Sequence, residues 1–215
     1  NYRKLADAGM HLLPLDVGPW RRLATWRTLQ RQLAAIMAAK PYDLCVVHTP
    51  AISWITRLVA AQARIPAVAY TAHGLPFFER QGAVSRWALR SIERFCARHT
   101  DLLLLVNSDD AATAERLHLV KPGGLIRHIP GPGVDTSRWE QVPPPEKLDA
   151  LRREFALRSD TKVVLYMGRL MDTKGVLDLV DVLANLTGQG RDAALIVAGV
   201  GPLDQAMHRR AADRG

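Results

Sequence analysis

The sequence predicts an α/β fold with parallel sheets, arranged in two units. Short apolar segments alternate with longer segments of helical periodicity along the 215 residues. Several of the short segments are apolar without alternation, as is typical of strands that helices cover on both faces. This order of strands and helices predicts parallel sheets. A proline-rich stretch at residues 141–145 interrupts the order once and predicts the boundary between the two units.

Seven strands are expected, each at a short apolar segment. In chain order they are Leu12–Leu15, Leu44–His48, Ala67–Thr71, Leu102–Asn107, Ile126–Ile129, Val163–Met167 and Ala194–Ala198. Helical periodicity predicts helices at residues 21–39, 51–63, 83–98, 109–119, 147–156, 175–187 and 202–213. The segment Asn107–Asp110 opens a helix, where its small acceptors are expected to cap the free N–H groups and its two acids, Asp109 and Asp110, suit the positive helix end. A catalytic carboxylate pair is not expected there, because adjacent helical residues point in different directions.

The two predicted units differ in charge. The first unit spans residues 1–140, a stiff linker spans residues 141–147, and the second unit spans residues 148–215. Residues 1–140 contain 18 Lys and Arg against 11 Asp and Glu, whereas the rest contains 11 against 10. A basic first unit predicts an anionic partner: nucleic acid, an acidic membrane surface or a phosphorylated substrate. A merely soluble, arginine-rich surface explains the same charge.

The composition argues against several classes of site. No run of about 18 apolar residues is present, so no transmembrane helix is expected. Two cysteines, Cys45 and Cys96, cannot form a disulfide framework and favour a reducing compartment. Neither HExxH nor a Cys/His cluster is present, so no metal is expected. We expect both ends of the chain to be incomplete, because it starts at Asn1 and stops at Gly215 within a predicted helix.

The segment from Val163 to Gly175 has the pattern of a phosphate site. A predicted strand ends before Gly168, Arg169 and Lys174 follow in a loop, and Gly175 opens a helix. Open α/β sheets bind ligands beyond the carboxyl ends of their strands, and a helix N-terminus attracts anions. The pattern therefore indicates a diphosphate site, although an ordinary exposed loop explains it as well. Neither GxxxxGK[ST] nor GxGxxG is present.

Two further strand ends have candidate residues. Gly199 and Gly201 follow the last predicted strand, where glycines let a ligand approach the backbone or simply permit a tight turn. His73 lies just past the strand Ala67–Thr71, where it could donate a hydrogen bond or shuttle a proton. A lone histidine is more often structural, and His48, at the end of the preceding strand, is a weaker candidate.

Four arginines at a spacing of four form one stripe on a predicted helix. They are Arg86, Arg90, Arg94 and Arg98. Leu89, Ile92 and Phe95 are expected to face the core, with Trp87 beside the stripe. A second helix mixes tryptophan and arginine within residues 20–31. Arginine and tryptophan on amphipathic helices suit an anionic membrane surface, although nucleic-acid phosphates or plain solvent would also suit them.

Five segments then occur in an order that resembles family 4 glycosyltransferases of the GT-B fold, most closely their bacterial polysaccharide-biosynthesis branch. The segments are VVHTPAISWITRLVAAQARIPAVAYTAHGLPFFER, NSDDAATAER, IPGPGVDTSRW, YMGRLMDTKGVLDLV and IVAGVGPL. The resemblance extends from about Leu12 to the end of the chain. It implies two Rossmann-like parallel-sheet domains, both incomplete here, the first on the acceptor side and the second binding a nucleotide-sugar.

The resemblance also implies roles for individual residues. Arg169 and Lys174 would hold the donor diphosphate and stabilise it as it leaves, without a metal or other cofactor. His73 would contact the transferred sugar. The resemblance places further substrate-binding positions at Gly74, Gly168, Gly175, Gly199 and Gly201. The enzymes of this family retain the anomeric configuration, commonly by front-face attack assisted by the leaving phosphate.

The chain departs from the family pattern in ways that bear on substrate choice. Leu75-Pro76 stand where the polysaccharide branch often has an aromatic residue and a histidine, and Val200 stands where an acidic residue is common. By the same resemblance, we expect the first strand with its glycine-rich acceptor loop, and the glutamate pair that binds the donor, to be missing from this chain. We therefore expect this chain alone to bind its donor weakly or not at all.

The leading hypothesis is a retaining hexosyltransferase that uses a nucleotide-sugar, with a UDP-sugar expected, and a lipid-linked or glycan acceptor. Cell-surface polysaccharide synthesis would place it in the cytoplasm, with the arginine stripe on the anionic inner face of the plasma membrane. A UDP-sugar 2-epimerase of similar fold is the alternative, and it would need no acceptor. A basic nucleic-acid-binding protein is a third hypothesis, although no nucleic-acid module accompanies the charge.

Overall fold

The computed structural model describes residues 7–15, 23–78, 81–131 and 133–214. The chain divides into two compact units, Asn1–Val134 and Asp135–Gly215, called unit 1 and unit 2 below. The described strands pair in parallel, in a four-stranded sheet in unit 1 and a two-stranded sheet in unit 2. The predicted α/β class with parallel sheets is confirmed.

Unit 1 alternates helices and strands throughout its described part. Its elements are α1 (Leu23–Ala39), β1 (Leu44–His48), α2 (Pro50–Gln62), β2 (Ala67–Ala72), α3 (Ala83–Ala97), β3 (Leu102–Leu105), α4 (Ser108–Leu117) and β4 (Leu125–His128). The strand order is β1-β2-β3-β4. In register, His48 pairs with Thr71, and Leu105 pairs with both Ala72 and His128. All four strands therefore end at one edge of the sheet.

Unit 2 repeats the arrangement on a smaller scale. Its elements are a 3-10 turn (Thr136–Trp139), α5 (Pro145–Glu154), β5 (Lys162–Met167), a second 3-10 turn (Asp172–Lys174), α6 (Val176–Gly188), β6 (Ala193–Ala198) and α7 (Asp204–Arg214). Strands β5 and β6 are parallel and in register from Lys162–Ala193 to Met167–Ala198. Arg210 and Arg214 of α7 both pair with Asp181 of α6, which fixes these two helices to each other.

The strand predicted at Leu12–Leu15 is wrong. Residues 11–15 have no regular structure, and the side chains of Leu12 and Leu13 are about half exposed. In the described part of the chain, β1 is hydrogen-bonded to β2 alone. An apolar tetrapeptide with no neighbouring strand has no ladder to join, so its composition alone does not make it a strand. Residues 20–22 of the tryptophan- and arginine-rich segment lie outside the described residues.

Each unit has its own apolar core. Leu103, Leu105 and Tyr70 lie at the centre of unit 1, where helices cover the middle of the sheet. The smaller core of unit 2 consists of Leu170, Val176, Val180 and Met207. Residues Leu165 and Met167 of β5 remain 62% and 78% exposed. Unit 2 therefore buries only part of its apolar strand surface.

A buried ion pair joins α2 to α3 in unit 1. The guanidinium of Arg57 donates to Glu93 Oε2 at 2.8 Å, and both side chains are at most 2% exposed. The other carboxylate oxygen, Oε1, accepts from Trp54 Nε1 at 2.7 Å. Arg57 also donates to Thr100 Oγ1 and lies over the Tyr70 ring at 4.5 Å. Burial raises the pKa of that tyrosine, so the phenol remains neutral beside the pair.

Removing one partner of this pair is expected to destabilise unit 1. Glu93→Ala leaves the Arg57 charge buried without compensation and should lower the free energy of unfolding by about 3–5 kcal/mol. Glu115→Ala, on an exposed part of α4, is the matched control and should change it by less than about 0.5 kcal/mol. Urea unfolding followed by tryptophan fluorescence measures both variants. Equal unfolding midpoints would show that the pair does not hold α3 in place.

Candidate functional site

The segment that contains His73 is anchored at the carboxyl edge of the unit 1 sheet. His73 and Gly74 follow β2, and the His73 side chain is exposed. The amide of Leu75 donates to Asp110 Oδ2 at 3.1 Å. Phe77 is 8% exposed and belongs to the core. The segment is therefore held by β2 before His73 and by Leu75 and Phe77 after it.

Asp110 has a second role that the sequence did not reveal. The cap prediction is confirmed, because the Asn107 side chain accepts from the Asp110 amide at 2.8 Å. The Asp110 carboxylate accepts from the side-chain amide of Asn107 at 2.8 Å, and the same oxygen also accepts from the amide of Leu75. A carboxylate in the first turn of α4 thus positions the segment after His73. Leu75 follows β2 and Asp110 follows β3, so the two residues meet because these strands are neighbours in the sheet. That neighbourhood is a tertiary property.

His48 is adjacent to His73 in space. His48 Nδ1 lies 3.3 Å from His73 Nε2, and the two rings are stacked with their centroids 5.5 Å apart. The strands β1 and β2 end side by side, so the two histidines, 25 positions apart, meet at the sheet edge. From the sequence alone His48 is the weaker candidate, because its pairing with His73 depends on the register of β1 and β2.

The predicted diphosphate loop lies at the corresponding edge of unit 2. After β5, Gly168 leads to Arg169, and Lys174 ends a 3-10 turn immediately before α6. Gly175 has a φ of 63°, in the left-handed region that favours glycine, and its turn directs the chain into α6. Tyr166 Oη donates to the Arg169 carbonyl at 2.9 Å and so fixes the first residues of the loop.

The two cations of this loop are exposed and available. Among the residues that the structure describes, the side chains of Arg169 and Lys174 have neither a hydrogen bond nor an ion pair. Asp172 and Asp178 lie on the same segment and are also exposed. The local charge is therefore mixed, and any selectivity for a phosphate must come from directed contacts and from the N–H groups at the start of α6.

Gly199 and Gly201 permit a close approach between two backbones. A Cβ atom on residue 201 would lie 2.7 Å from the backbone nitrogen of Leu170, and one on residue 199 would meet the Gly168 carbonyl. The amides of Gly168 and Leu170 donate to the carbonyls of Ala198 and Val200, which extends the β5–β6 ladder into the loops. The space beside these glycines is thus occupied by the neighbouring loop, and their binding of a donor stays a prediction.

The candidate residues fall into two sets, one in each unit. His73 and Gly74 lie in unit 1, and the two cations of the predicted diphosphate loop and the remaining glycines lie in unit 2. Within unit 2, hydrogen bonds between the loops bring the segments of Gly168 and Gly199 together. Within each unit, the candidate residues therefore lie in the segments that follow the carboxyl ends of the strands.

The arginine stripe lies on α3, but the prediction for its apolar neighbours is partly wrong. Leu89 packs on the unit 1 core as expected, whereas Phe95 is 50% exposed and Ile92 is 38% exposed. The buried line of α3 passes instead through Glu93, Cys96 and Ala97. Glu93 takes an inward position because Arg57 and Trp54 bind it, and this displaces the apolar side chains towards solvent.

The described residues do not support a nucleophilic cysteine or a metal-binding site. Burial raises the pKa of Cys96 to about 11 and also raises the pKa of Cys45, so neither thiol is an effective nucleophile near neutral pH. In the part of the chain that the structure describes, no group of three or more His, Cys, Asp or Glu side chains could hold a metal ion. In that same part, no helix has the length and hydropathy to cross a bilayer.

Family models match both units. A model described as "Glycosyl transferase 4-like domain" matches residues 2–130, and one described as "Glycosyl transferases group 1" matches residues 148–215. The chain belongs to glycosyltransferase family 4. This confirms the resemblance found in the sequence.

The relatives of this glycosyltransferase chain include bacterial proteins, and the names of some of them state the sugar donor. It is 32% identical over 177 residues to EpsD, a proposed glycosyltransferase of Bacillus subtilis, covering 81% of the chain and 45% of EpsD. It is 24% identical to an Escherichia coli UDP-Gal:alpha-D-GlcNAc-diphosphoundecaprenol alpha-1,3-galactosyltransferase, covering 80% of the chain and 44% of the relative. The chain therefore spans less than half of the length of these relatives.

Solved structures support the GT-B fold of this family member. HepE of Anabaena, in complex with UDP and glucose, matches all of the chain and 56% of its own length, with a TM-score of 0.72 at 16% identity. An assigned UDP-N-acetylglucosamine 2-epimerase of Listeria monocytogenes matches 99% of the chain and 54% of its own length, with a TM-score of 0.62 at 14% identity. At such low identities these likenesses show the fold alone.

The packing around Gly201 makes a specific prediction for this glycosyltransferase chain. Gly201→Ala would force the loop after β6 away from Leu170, so it should lower the free energy of unfolding of unit 2 by about 1–3 kcal/mol. Gly188→Ala, at the end of α6 with open space around it, should be neutral or slightly stabilising. Thermal unfolding of both variants provides the comparison. If Gly201→Ala is as stable as Gly188→Ala, the loop after β6 does not pack against the backbone of Leu170 as closely as described.

Proposed function

We propose that this chain is part of a retaining hexosyltransferase that moves a sugar from a UDP-sugar to a lipid-linked or glycan acceptor in bacterial cell-surface polysaccharide synthesis. The observation that supports it most directly is the geometry of residues 168–175, called the donor loop below. Arg169 and Lys174 are exposed and unpaired among the described residues, and they flank a turn that leads into the N-terminus of α6. This arrangement suits a group with two phosphates.

The leaving diphosphate needs these charges most in the transition state. Negative charge builds on its oxygen as the bond to the anomeric carbon breaks, and preorganised cations that contact this oxygen lower the barrier. The donor loop is anchored by Tyr166 Oη and by backbone hydrogen bonds to the loop after β6, so little reorganisation is required. The two side chains and the helix N-terminus would supply the positive charge without a metal.

The reaction we propose is a front-face transfer. The acceptor oxygen bonds to the anomeric carbon on the side from which the diphosphate departs, and the acceptor proton passes to the departing phosphate oxygen. His73 would contact the transferred sugar and orient it. Gly74, Gly168, Gly175, Gly199 and Gly201 would line the substrate site. Of these, Gly199 and Gly201 would act chiefly by holding the donor loop in place.

UDP is the donor nucleotide that we propose. The HepE structure contains UDP and glucose, and the E. coli relative is named for UDP-Gal. Other relatives are named for GDP-mannose, among them a mannosyltransferase of Mycolicibacterium smegmatis that is 35% identical over 94 residues, or 44% of the chain. Assays therefore need both UDP- and GDP-sugars as probes.

Substitution of the two cations tests the donor site. In the full-length protein, Arg169→Ala and Lys174→Ala should each lower kcat about 100-fold, because each removes a contact to the leaving diphosphate. Arg191→Ala is the matched control, since this exposed arginine precedes β6 at the opposite end of the strand, and it should retain full activity. Transfer rates that survive both loop substitutions contradict the assignment.

The epimerase hypothesis remains the alternative because the fold matches UDP-sugar 2-epimerases along almost the whole chain. Product analysis separates the two reactions. A transferase releases UDP in step with glycosylated acceptor, whereas an epimerase converts the UDP-sugar with no acceptor present. Conversion of UDP-GlcNAc in the absence of acceptor would replace the transferase proposal.

We further propose that α3 contacts the anionic inner face of the plasma membrane. Its outward face exposes Val84, Trp87 and Phe95 to 81%, 71% and 50%, and arginines lie among them. Apolar side chains with interleaved arginines suit the headgroup layer, where the rings enter the interface and the guanidinium groups bind lipid phosphates. A lipid-linked acceptor would lie in the same layer.

A triple substitution tests this surface. Changing Arg86, Arg90 and Arg94 to Gln should weaken binding to vesicles that contain phosphatidylglycerol, since each arginine near the surface contributes about 1 kcal/mol. The control changes Arg153, Arg191 and Arg209 of unit 2 to Gln, which alters the net charge equally. Vesicle sedimentation at low and high salt measures both. Equal binding by the two triple variants would show that the effect is one of total charge, and salt-dependent binding to RNA alone would favour the nucleic-acid hypothesis.

A further inference from the structure

The contact between His48 and His73 at the carboxyl edge of unit 1 is a feature that the proposed mechanism leaves unused. Both rings are exposed, at the position where β1 and β2 end, and His48 Nδ1 lies 3.3 Å from His73 Nε2. In the described part of the chain, this is the one hydrogen bond that involves the ring of either histidine. The contact therefore determines what His73 can offer to a ligand.

The backbone after His48 is held in an uncommon conformation. Thr49 has a φ of 64°, which is rare for a β-branched residue. Its carbonyl accepts from the Ser53 amide at 3.2 Å, and Pro50 begins α2 at the next position. The chain thus turns sharply at the end of β1, and His48 is fixed between a strand and the start of a helix. Residues in such strained conformations persist where the surrounding structure holds them, often at functional sites.

The chemistry of the contact favours one proton arrangement. One of the two nitrogens must donate and the other must accept. If His73 Nε2–H donates to His48 Nδ1, both rings are in the Nε2–H form, which is the more stable tautomer of a neutral histidine side chain in water. The reverse arrangement would place both rings in the less stable form. The favoured arrangement leaves Nδ1 of His73 without a proton, as an acceptor for a hydroxyl group.

We propose that His48 is a positioning residue that holds His73 as its Nε2–H tautomer and thereby presents Nδ1 as a hydrogen-bond acceptor to a hydroxyl of the transferred sugar. This inference rests on the proposed function, because it assigns His73 to the sugar. It adds a residue and a proton arrangement to that site. His48 itself does not touch the substrate in this scheme.

Two variants separate positioning from folding. His48→Ala removes the acceptor, whereas His48→Asn places an amide oxygen close to the position of Nδ1 and can still accept from His73. His208→Ala, at an exposed histidine of α7, is the control. At metal sites, the loss of a partner that orients a ligating histidine lowers affinity or activity by about 10- to 100-fold, and we take the lower end of that range for this pair. We therefore expect His48→Ala to lower kcat about 10-fold with the donor KM within about twofold, and His48→Asn to remain within about threefold of the natural protein.

Nitrogen NMR tests the tautomer without any assay of transfer. In the full-length protein labelled with ¹⁵N-histidine at about pH 8.5, above the ordinary histidine range, His73 should show a proton fixed on Nε2. The His73→Gln variant identifies the signal. In His48→Ala the two nitrogen shifts should move towards averaged values, and in His48→Asn they should return.

Three outcomes would overturn the inference. Unchanged His73 nitrogen shifts in His48→Ala would show that His48 does not set the tautomer. Altered shifts with an unchanged kcat would show that the tautomer has no part in transfer. Equal loss of activity in His48→Ala and His48→Asn would assign His48 a direct contact with substrate. If no UDP- or GDP-sugar is consumed, the proposed function fails, and the NMR measurement still decides whether His48 controls His73.

Discussion

Parallel strand pairing is the constraint on which the candidate sites depend. When strands run in the same direction, their carboxyl ends lie at one edge, and the chain leaves the sheet there before each helix. In unit 1 this edge brings His48 next to His73 and places the Asp110 carboxylate against the amide of Leu75. In unit 2 it joins the donor loop to the loop after β6. The strand register therefore determines which candidate side chains and loops lie next to each other.

Two features maintain that geometry by different physical means. In unit 1, the buried Arg57–Glu93 pair joins α2 to α3, and its cost of desolvation is offset by hydrogen bonds to both groups. In unit 2, the absence of side chains at Gly199 and Gly201 lets two loops pack backbone to backbone. The first feature orients the helix that displays the arginine stripe. The second supports the loop that contains Arg169 and Lys174.

Much of this organisation could be predicted from the sequence, because it depends on local patterns. The strand–helix alternation, the Asn107 cap and the turn at Gly175 each follow from residues close together in the chain. Predictions failed where the outcome depends on distant partners. Leu12–Leu15 lacks a neighbouring strand among the described residues, and Phe95 faces solvent because a charged residue, Glu93, takes the inward position. The pairing of His48 with His73 likewise needed the register of β1 and β2.

The central claim is that the donor diphosphate binds at the turn between β5 and α6. A crystal structure of the full-length protein with UDP, and a second with GDP, tests this most directly. We expect the phosphate oxygens to lie within hydrogen-bond distance of the Arg169 guanidinium, the Lys174 ammonium group and an amide at the start of α6. A nucleotide whose phosphates bind elsewhere, with both cations directed to solvent, would contradict it.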